Sequence, residues 1–112
     1  LNLKATATIH LKIDSKEYRE AGSGNGGYDA FMSAVNKILK KLNLESPELV
    51  DYQIRIPRGG KTNALTEAII TWQVNGKRLQ TIGIDSDQVL AAVNATLKLL
   101  NLQLLQKDVQ QQ

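Results

Sequence analysis

The feature that most constrains the fold is a repeat between two distant segments of the chain. Residues 34–43 (AVNKILKKLN) and 92–101 (AVNATLKLLN) are identical at seven of ten positions. Apolar residues recur at helical spacing in both segments, and each segment follows two predicted strands. Two amphipathic helices can match by coincidence, but amphipathic spacing does not require Asn at the middle and end of both. We therefore interpret the match as a duplicated strand–strand–helix unit.

Alternation of apolar and polar residues predicts the strands, and Asp14-Ser15 and Asn75-Gly76 predict tight hairpin turns. The expected fold class is α+β: two repeated strand–strand–helix units, one with an extra strand, form a sheet that is covered by two helices. The predicted strands are 5–13, 16–21, 49–57, 64–74 and 77–84, and the predicted helices are 28–43 and 89–102.

Length and composition restrict the chemistry. With 112 residues and 42% hydrophobic content, we expect a single regulatory domain over 1–112, with a core at 5–102 and a polar tail at 103–112. The chain has no cysteine and one histidine, His10, on the polar face of the first strand, so no catalytic or metal-binding residue is predicted. Because the sequence starts at Leu1, we expect a fragment of a larger enzyme.

The charge and hydropathy of the chain indicate whether nucleic acid or a membrane is an expected partner. The net charge is +3, but basic and acidic residues are interspersed and aromatic residues make up only 4%, so we expect no nucleic-acid partner. No continuous run of about 18 apolar residues is present, which predicts no membrane partner. The absence of cysteine is compatible with a reducing compartment, and the expected location is cytoplasmic.

A glycine-rich stretch, Gly22 to Ala30, precedes the first helix. Glycines allow close approach of backbone, and the start of a helix offers N–H donors and partial positive charge, so a small anion such as a carboxylate would bind there. The alternative is that the glycines only turn a strand into a helix.

A second glycine-bearing loop lies at 58–63. Near the two loops are apolar residues that could form walls (Tyr28, Leu49, Tyr52 and Ile56) and polar residues (Asp29, Thr62 and Asn63). This combination suits an α-amino acid, which needs donors for its carboxylate, an acceptor for its ammonium and an apolar pocket for its side chain.

At these residues the chain resembles the C-terminal regulatory domain of the α-isopropylmalate synthase family, which includes the citramalate synthases. The resemblance extends over residues 5–101. It is carried by Gly22, Gly24, Asn25, Gly26, Asp29 and Ala30, by Leu49 and Tyr52, by Gly60 and Ala64, and by Gly83, Ser86 and Asp87.

The resemblance implies an effector site and an effector. Gly27-Tyr28 replaces the usual Pro-Val, and Asn63 stands where an acid is common. The segment 56–64 is most similar to a bacterial citramalate synthase, which implies isoleucine as the feedback inhibitor; a leucine-sensing domain and a dimerisation module without ligand are the alternatives. The implied effector-binding residues are Asn25, Gly26, Tyr28, Asp29, Leu49, Tyr52, Ile56, Thr62, Asn63 and Ala64.

The resemblance also implies the context of the domain. The parent enzyme would be an acyltransferase that condenses acetyl-CoA with pyruvate in a separate, metal-dependent catalytic domain of the same chain. The regulatory domain would hold no cofactor, carry no activity of its own and form a homodimer.

Overall fold

The computed structural model describes residues 3–56 and 65–110. They fall into two compact units, Leu1–Ser46 and Pro47–Gln112.

The first unit is a β-hairpin with one helix. Strands β1 (Ala5–Ile13) and β2 (Lys16–Gly24) are antiparallel, and helix α1 (Gly27–Lys41) packs on both. The hairpin turns at Asp14 and Ser15, which both have positive φ, 51° and 68°, as expected for a two-residue turn that matches the twist of the strands. The buried face of α1 consists of Ala30, Phe31, Ala34, Val35, Ile38 and Leu39.

The second unit is a three-stranded antiparallel sheet with one helix. Its strands are β3 (Glu48–Arg55), β4 (Thr66–Val74) and β5 (Lys77–Asp85), in the order β3-β4-β5. Helix α2 (Gln88–Gln110) packs on β4 and β5. The β4–β5 turn uses Asn75 and Gly76 at φ 53° and 74°, the hairpin turn that the sequence predicts. The core includes Ala68, Ile70, Trp72, Val74, Ala91, Ala92, Ala95, Leu99 and Leu100.

Helix α2 is long and apolar. It extends to Gln110, through most of the segment 103–112 that the sequence predicts to be a polar tail. Its segment Gln88–Lys107 is long and apolar enough to cross a membrane by length and composition. The core helix of a soluble protein passes the same test, and α2 buries Ala95 and Leu99 inside its own unit.

The two units are structural repeats, with a register that differs from the sequence match. A shift of 61 positions carries Ala5 to Thr66, Lys16 to Lys77 and Gly27 to Gln88, the first residues of the corresponding strands and helices. The match of 34–43 with 92–101 corresponds to a shift of 58 and is therefore wrong by three residues. Because the helix repeats every 3.6 residues, a slip of three residues leaves similar residues on the same face.

The predicted α+β class and the two strand–strand–helix units, one with an extra strand, are confirmed. The strands form two sheets, however, where one was predicted. At the outer edge of β2 the ammonium of Lys37 donates to the carbonyl of Ala21 (2.6 Å), and at the outer edge of β5 Lys98 donates to that of Ile82 (2.5 Å). These lysines occupy backbone acceptors that a neighbouring strand would use, an effect that side-chain periodicity does not report.

Two glycines of the first unit, Gly22 and Gly24, serve close packing. Gly22 and Gly24 belong to β2, so the predicted loop of 22–27 is reduced to Asn25 and Gly26, and neither has positive φ. A Cβ on Gly22 would lie 2.5 Å from the carbonyl oxygen of Ala30 in α1. The absence of a Cβ therefore lets helix and strand backbones approach each other.

One buried hydrogen bond links the central strand of the second unit to its neighbour. The indole Nε1 of fully buried Trp72 donates to Oγ1 of Thr81 at 2.9 Å. We expect Thr81→Val to lower the unfolding free energy by about 1–3 kcal/mol because the indole N–H would be left buried without its acceptor. Urea denaturation checks this, with Thr71→Val as the matched control on the opposite face of the same sheet. A loss no larger than that of the control would contradict this role.

Candidate functional site

The two helices begin differently. At the start of α2, Oδ1 of Asp87 accepts from the backbone N–H of Leu90 (3.0 Å), and Oδ2 of Asp85 accepts from that of Asp87 (2.8 Å). In the repeat register the corresponding residues before α1 are Gly26 and Gly24. Gly26 is the N-cap of α1 in extended conformation (φ −141°, ψ 174°), and within the described residues no side-chain hydrogen bond caps this helix.

Because of this difference, the start of α1 is better suited than the start of α2 to bind an anion. The first turn of a helix carries N–H groups without intrahelical acceptors and a partial positive charge. At α2 the carboxylates of Asp85 and Asp87 already accept hydrogen bonds from backbone N–H groups. At α1 the carboxylate of Asp29 lies in the first turn and interacts favourably with the helix dipole, but the N-cap residue Gly26 offers no side-chain acceptor, so the backbone N–H groups suit the carboxylate of a ligand.

The predicted site residues of the first unit gather at this helix start. Asn25 and Asp29 are exposed, and Gly26 and Tyr28 are half-buried. The Tyr28 ring packs against Phe31, with 6.0 Å between ring centroids and a tilt of 36°. The exposed carboxylate of Asp29 is at the rim of a shallow depression on the outer side of α1, which is also lined by Met32, Ser33, Asn36, Lys37 and Lys40.

In the second unit a β-bulge brings two predicted site residues to one face. Leu49 pairs with Trp72 and Tyr52 with Ile70, and the register shifts between Leu49 and Asp51. Without the shift, residues three apart would point to opposite faces of the strand. Because Trp72 and Ile70 share the buried face of β4, Leu49 and Tyr52 lie on that same face of β3.

These apolar side chains are partly exposed. The exposed fractions are 41% for Leu49, 36% for Tyr52 and 61% for Ile56, which follows the end of β3. Partial burial raises the pKa of the Tyr52 phenol above its ordinary value of 10.0, which further favours the neutral form that a phenol already has at physiological pH. This surface is suited to an apolar side chain of a ligand.

The structure therefore describes two groups of predicted residues: Asn25, Gly26, Tyr28 and Asp29 at α1, and Leu49, Tyr52 and Ile56 on and after β3. Thr62, Asn63 and Ala64 lie outside the described residues. Sequence reasoning missed the β-bulge at Val50 and the exchange of a capping aspartate for Gly26. The second could have been found by aligning the units at their hairpin turns, which places Gly26 opposite Asp87.

Within residues 3–56 and 65–110, no group of three or more His, Cys, Asp or Glu side chains is arranged so that it could hold a metal ion.

Comparison with known proteins gives the family. Residues 2–104 match the LeuA allosteric (dimerisation) domain. A 2-isopropylmalate synthase of Erwinia tasmaniensis is 34% identical over 87% of this chain and 18% of its own length. That of Aquifex aeolicus is 32% identical over 96% of the chain and 20% of its own length. A Methanosarcina acetivorans protein whose name provisionally assigns it as an (R)-citramalate synthase, CimA, is 33% identical over 86% of the chain and 20% of its own length.

The chain thus spans about a fifth of the length of the curated relatives it matches. The family match includes both groups of predicted site residues and almost the whole of the two repeated units. The resemblance found in the sequence is confirmed, and the chain belongs to the family of LeuA allosteric (dimerisation) domains.

Proposed function

We propose that this chain is the feedback-regulatory domain of a citramalate synthase-like acyltransferase and that it binds isoleucine as an allosteric inhibitor. The observation that carries the proposal is the uncapped start of α1, where Gly26 replaces the capping aspartate of the repeated unit. A domain of an allosteric family in which one helix begins at a glycine N-cap, without a capping side chain of its own, is suited to an effector that has a carboxylate.

Each predicted residue receives a role. Backbone N–H groups around Gly26 bind the carboxylate, and Asp29 or a loop carbonyl accepts from the ammonium. Leu49, Tyr52 and Ile56 contact the aliphatic side chain. By the family resemblance, Asn25, Tyr28, Thr62, Asn63 and Ala64 complete the effector-binding set.

The choice of isoleucine rests on the sequence around the site. Tyr28 stands where the family has a smaller residue, and segment 56–64 is most similar to a bacterial citramalate synthase. Leucine sensing in a 2-isopropylmalate synthase is the second candidate, and the names of the Erwinia and Aquifex relatives favour it. Isoleucine and leucine contain the same atoms, so only the shape of the apolar wall of the site can make their affinities differ.

The parent protein is proposed to be a cytoplasmic transferase of branched-chain amino-acid biosynthesis, in which 1–112 is a single regulatory domain. Its catalytic domain, outside these residues, would condense acetyl-CoA with a 2-oxoacid and hold the divalent metal. The name of the family supports a homodimer formed through this domain. Sedimentation of the parent enzyme tests the homodimer directly.

Shortening an apolar side chain of the proposed site tests its selectivity for isoleucine over leucine. We expect Leu49→Val to weaken isoleucine binding more than leucine binding, because a one-methyl mismatch in an apolar pocket changes affinity by roughly 10- to 200-fold. Calorimetric titration with both amino acids gives the ratio. Leu102→Val is the matched control, since Leu102 (43% exposed) and Leu49 (41%) have similar exposure. A ratio that Leu49→Val leaves unchanged would remove Leu49 from the site.

A further inference from the structure

We propose that a cleft in the second unit, between the β4–β5 turn and the C-terminal half of α2, binds a small aliphatic monocarboxylate. The cleft has a volume of about 450 Å³, within the range of about 300–1,000 Å³ that is typical of small-molecule sites. It shares no residue with the proposed effector site, so the inference goes beyond the proposed function.

One wall of the cleft is an extension of α2 beyond the repeat. With the shift of 61, Lys41, the last residue of α1, corresponds to position 102, so residues 103–110 have no helical counterpart in the first unit. There the chain leaves the helix at Asn43, which has a φ of 56°. The backbone N–H of Leu44 then donates to the carbonyl of Leu39 at 2.9 Å. The second unit therefore has about two additional helical turns.

This extension buries an amide and exposes a leucine. Gln103 is 5% exposed and Leu105 is 61% exposed, and both line the cleft. An extension that only enlarged the core would show the opposite pattern. Val74, Leu79 and Leu99 supply further apolar lining. Apolar surface with a few polar groups is suited to a small ligand that has an aliphatic chain and a polar end.

The polar end of the cleft carries a cation, Lys77. Lys77 pairs with Val74, and Leu79 pairs with Trp72. Because cross-strand partners share a face of the sheet, Lys77 lies on the face where Val74 and Trp72 are buried and where α2 packs. Among the described residues no carboxylate forms an ion pair with Lys77. An anion is therefore the complementary ligand group.

The corresponding lysine of the first unit is held by an aromatic ring. Lys16 is the counterpart of Lys77, and its Nζ lies 5.6 Å from the centroid of the Tyr18 ring. A lysine in this position is attracted to the face of the ring. Tyr18 corresponds to Leu79, so the second unit has a smaller, non-aromatic side chain at this place. The replacement leaves space in the cleft and removes the aromatic partner of the lysine.

The charges of the cleft favour a monocarboxylate over an α-amino acid. None of the described residues that line it is Asp or Glu. An ammonium group would therefore meet Lys77 without a compensating carboxylate. A carboxylate can instead accept from the ammonium of Lys77 and from the amide of Gln106, which also lines the cleft. The aliphatic chain of the ligand would then cover Leu105 and Leu99.

Photo-labelling of the full-length parent protein tests the location. The probe is a diazirine derivative of octanoate, which combines one carboxylate with an aliphatic chain and has no ammonium. Mass spectrometry is expected to find the label on the β4–β5 turn or on residues 99–106. Unmodified octanoate should compete, whereas isoleucine should not. A label confined to other segments, or equal competition by isoleucine, would overturn the proposal.

Competition at these same peptides tests the role of the charge. We expect Lys77→Met to raise the octanoate concentration that halves labelling by about three- to tenfold, because it removes a charge-assisted hydrogen bond that solvent partly screens. Lys16→Met is the matched control at the equivalent turn and should leave this concentration unchanged. Octylammonium, with the opposite charge, should compete at least about tenfold less well than octanoate. Equal effects of the two variants, or equal competition by the two ions, would overturn the proposal.

The apolar contact is tested on the exposed face of α2. Leu105→Gln should raise the same octanoate concentration at least about threefold, because it replaces apolar surface that the chain would cover. Leu90→Gln is the control, since Leu90 is 51% exposed on the same helix and lies outside the cleft. Equal effects of the two variants would overturn the proposal. Because octanoate and isoleucine are assigned to different residues, failure of either ligand to bind leaves the assignment of the other unaffected.

Discussion

Replacement of Gly83 by alanine is expected to unfold the second unit. A Cβ at this position would lie 2.0 Å from the carbonyl oxygen of Ala91 and 2.3 Å from the backbone nitrogen of Ala95, both in α2. These are backbone atoms, so relief requires the whole helix to move away from β5. Such a movement opens the packing around Trp72 and Leu99, and we expect a loss of at least about 3 kcal/mol in unfolding free energy.

Urea denaturation followed by the fluorescence of Trp72, the single tryptophan, measures this loss. Gly26→Ala is the matched control, since a Cβ on Gly26 would meet no atom within 4 Å and its φ is −141°. We expect the control to lower the unfolding free energy by no more than about 1 kcal/mol, since alanine is less favourable than glycine at an N-cap. Equal stabilities of the two variants would contradict the close approach of α2 to β5.

Removal of the Asp29 carboxylate is expected to weaken effector binding by about ten- to a hundredfold. A hydrogen bond to a charged group is worth about 1.5–3 kcal/mol, and each 1.4 kcal/mol is a factor of ten in affinity. Asp29 is exposed at the first turn of α1, so its loss should cost the fold only about 0.3–1 kcal/mol of favourable interaction with the helix dipole. Isoleucine titration of Asp29→Ala gives the change in affinity.

Asp87→Ala is the control at the other helix. It removes the acceptor of the Leu90 N–H and should cost about 1 kcal/mol of stability. Because the proposed carboxylate site is at α1, the affinity for isoleucine should not change. An unchanged affinity in Asp29→Ala, or an equal decrease in both variants, would exclude Asp29 as the acceptor for the ammonium.

Local rules were sufficient to predict most of the elements. Period-two alternation predicted β1, and the Asn75-Gly76 turn fixed the pairing of β4 with β5, since its two residues adopt the positive φ that the turn requires. Apolar spacing predicted α1 with Ala30, Val35 and Ile38 on its buried face. These features depend on neighbours in sequence, where periodicity and turn chemistry act.

What the sequence could not provide depends on residues distant in the chain. The match of the two helices selected a shift of 58 residues because residues one helical turn apart are similar. The equivalent hydrogen bonds from Lys37 to the Ala21 carbonyl and from Lys98 to the Ile82 carbonyl establish a shift of 61 residues. Likewise, the bulge that brings Leu49 to the face of Tyr52 becomes visible only in the pairing with β4. The hydrogen bonds of Lys37 and Lys98 to backbone carbonyls at the edges of β2 and β5 likewise have no periodic signature in the sequence.

Calorimetric titration of the wild-type chain with isoleucine and with leucine tests the central claim most directly. Both ligands have the same charged groups, so the carboxylate and ammonium contacts cancel in the comparison. Isoleucine should bind at least about tenfold more tightly than leucine, the lower end of the effect of a one-methyl mismatch. Absence of binding by either amino acid to the folded chain would contradict effector sensing, and equal or tighter binding of leucine would contradict the assignment of isoleucine.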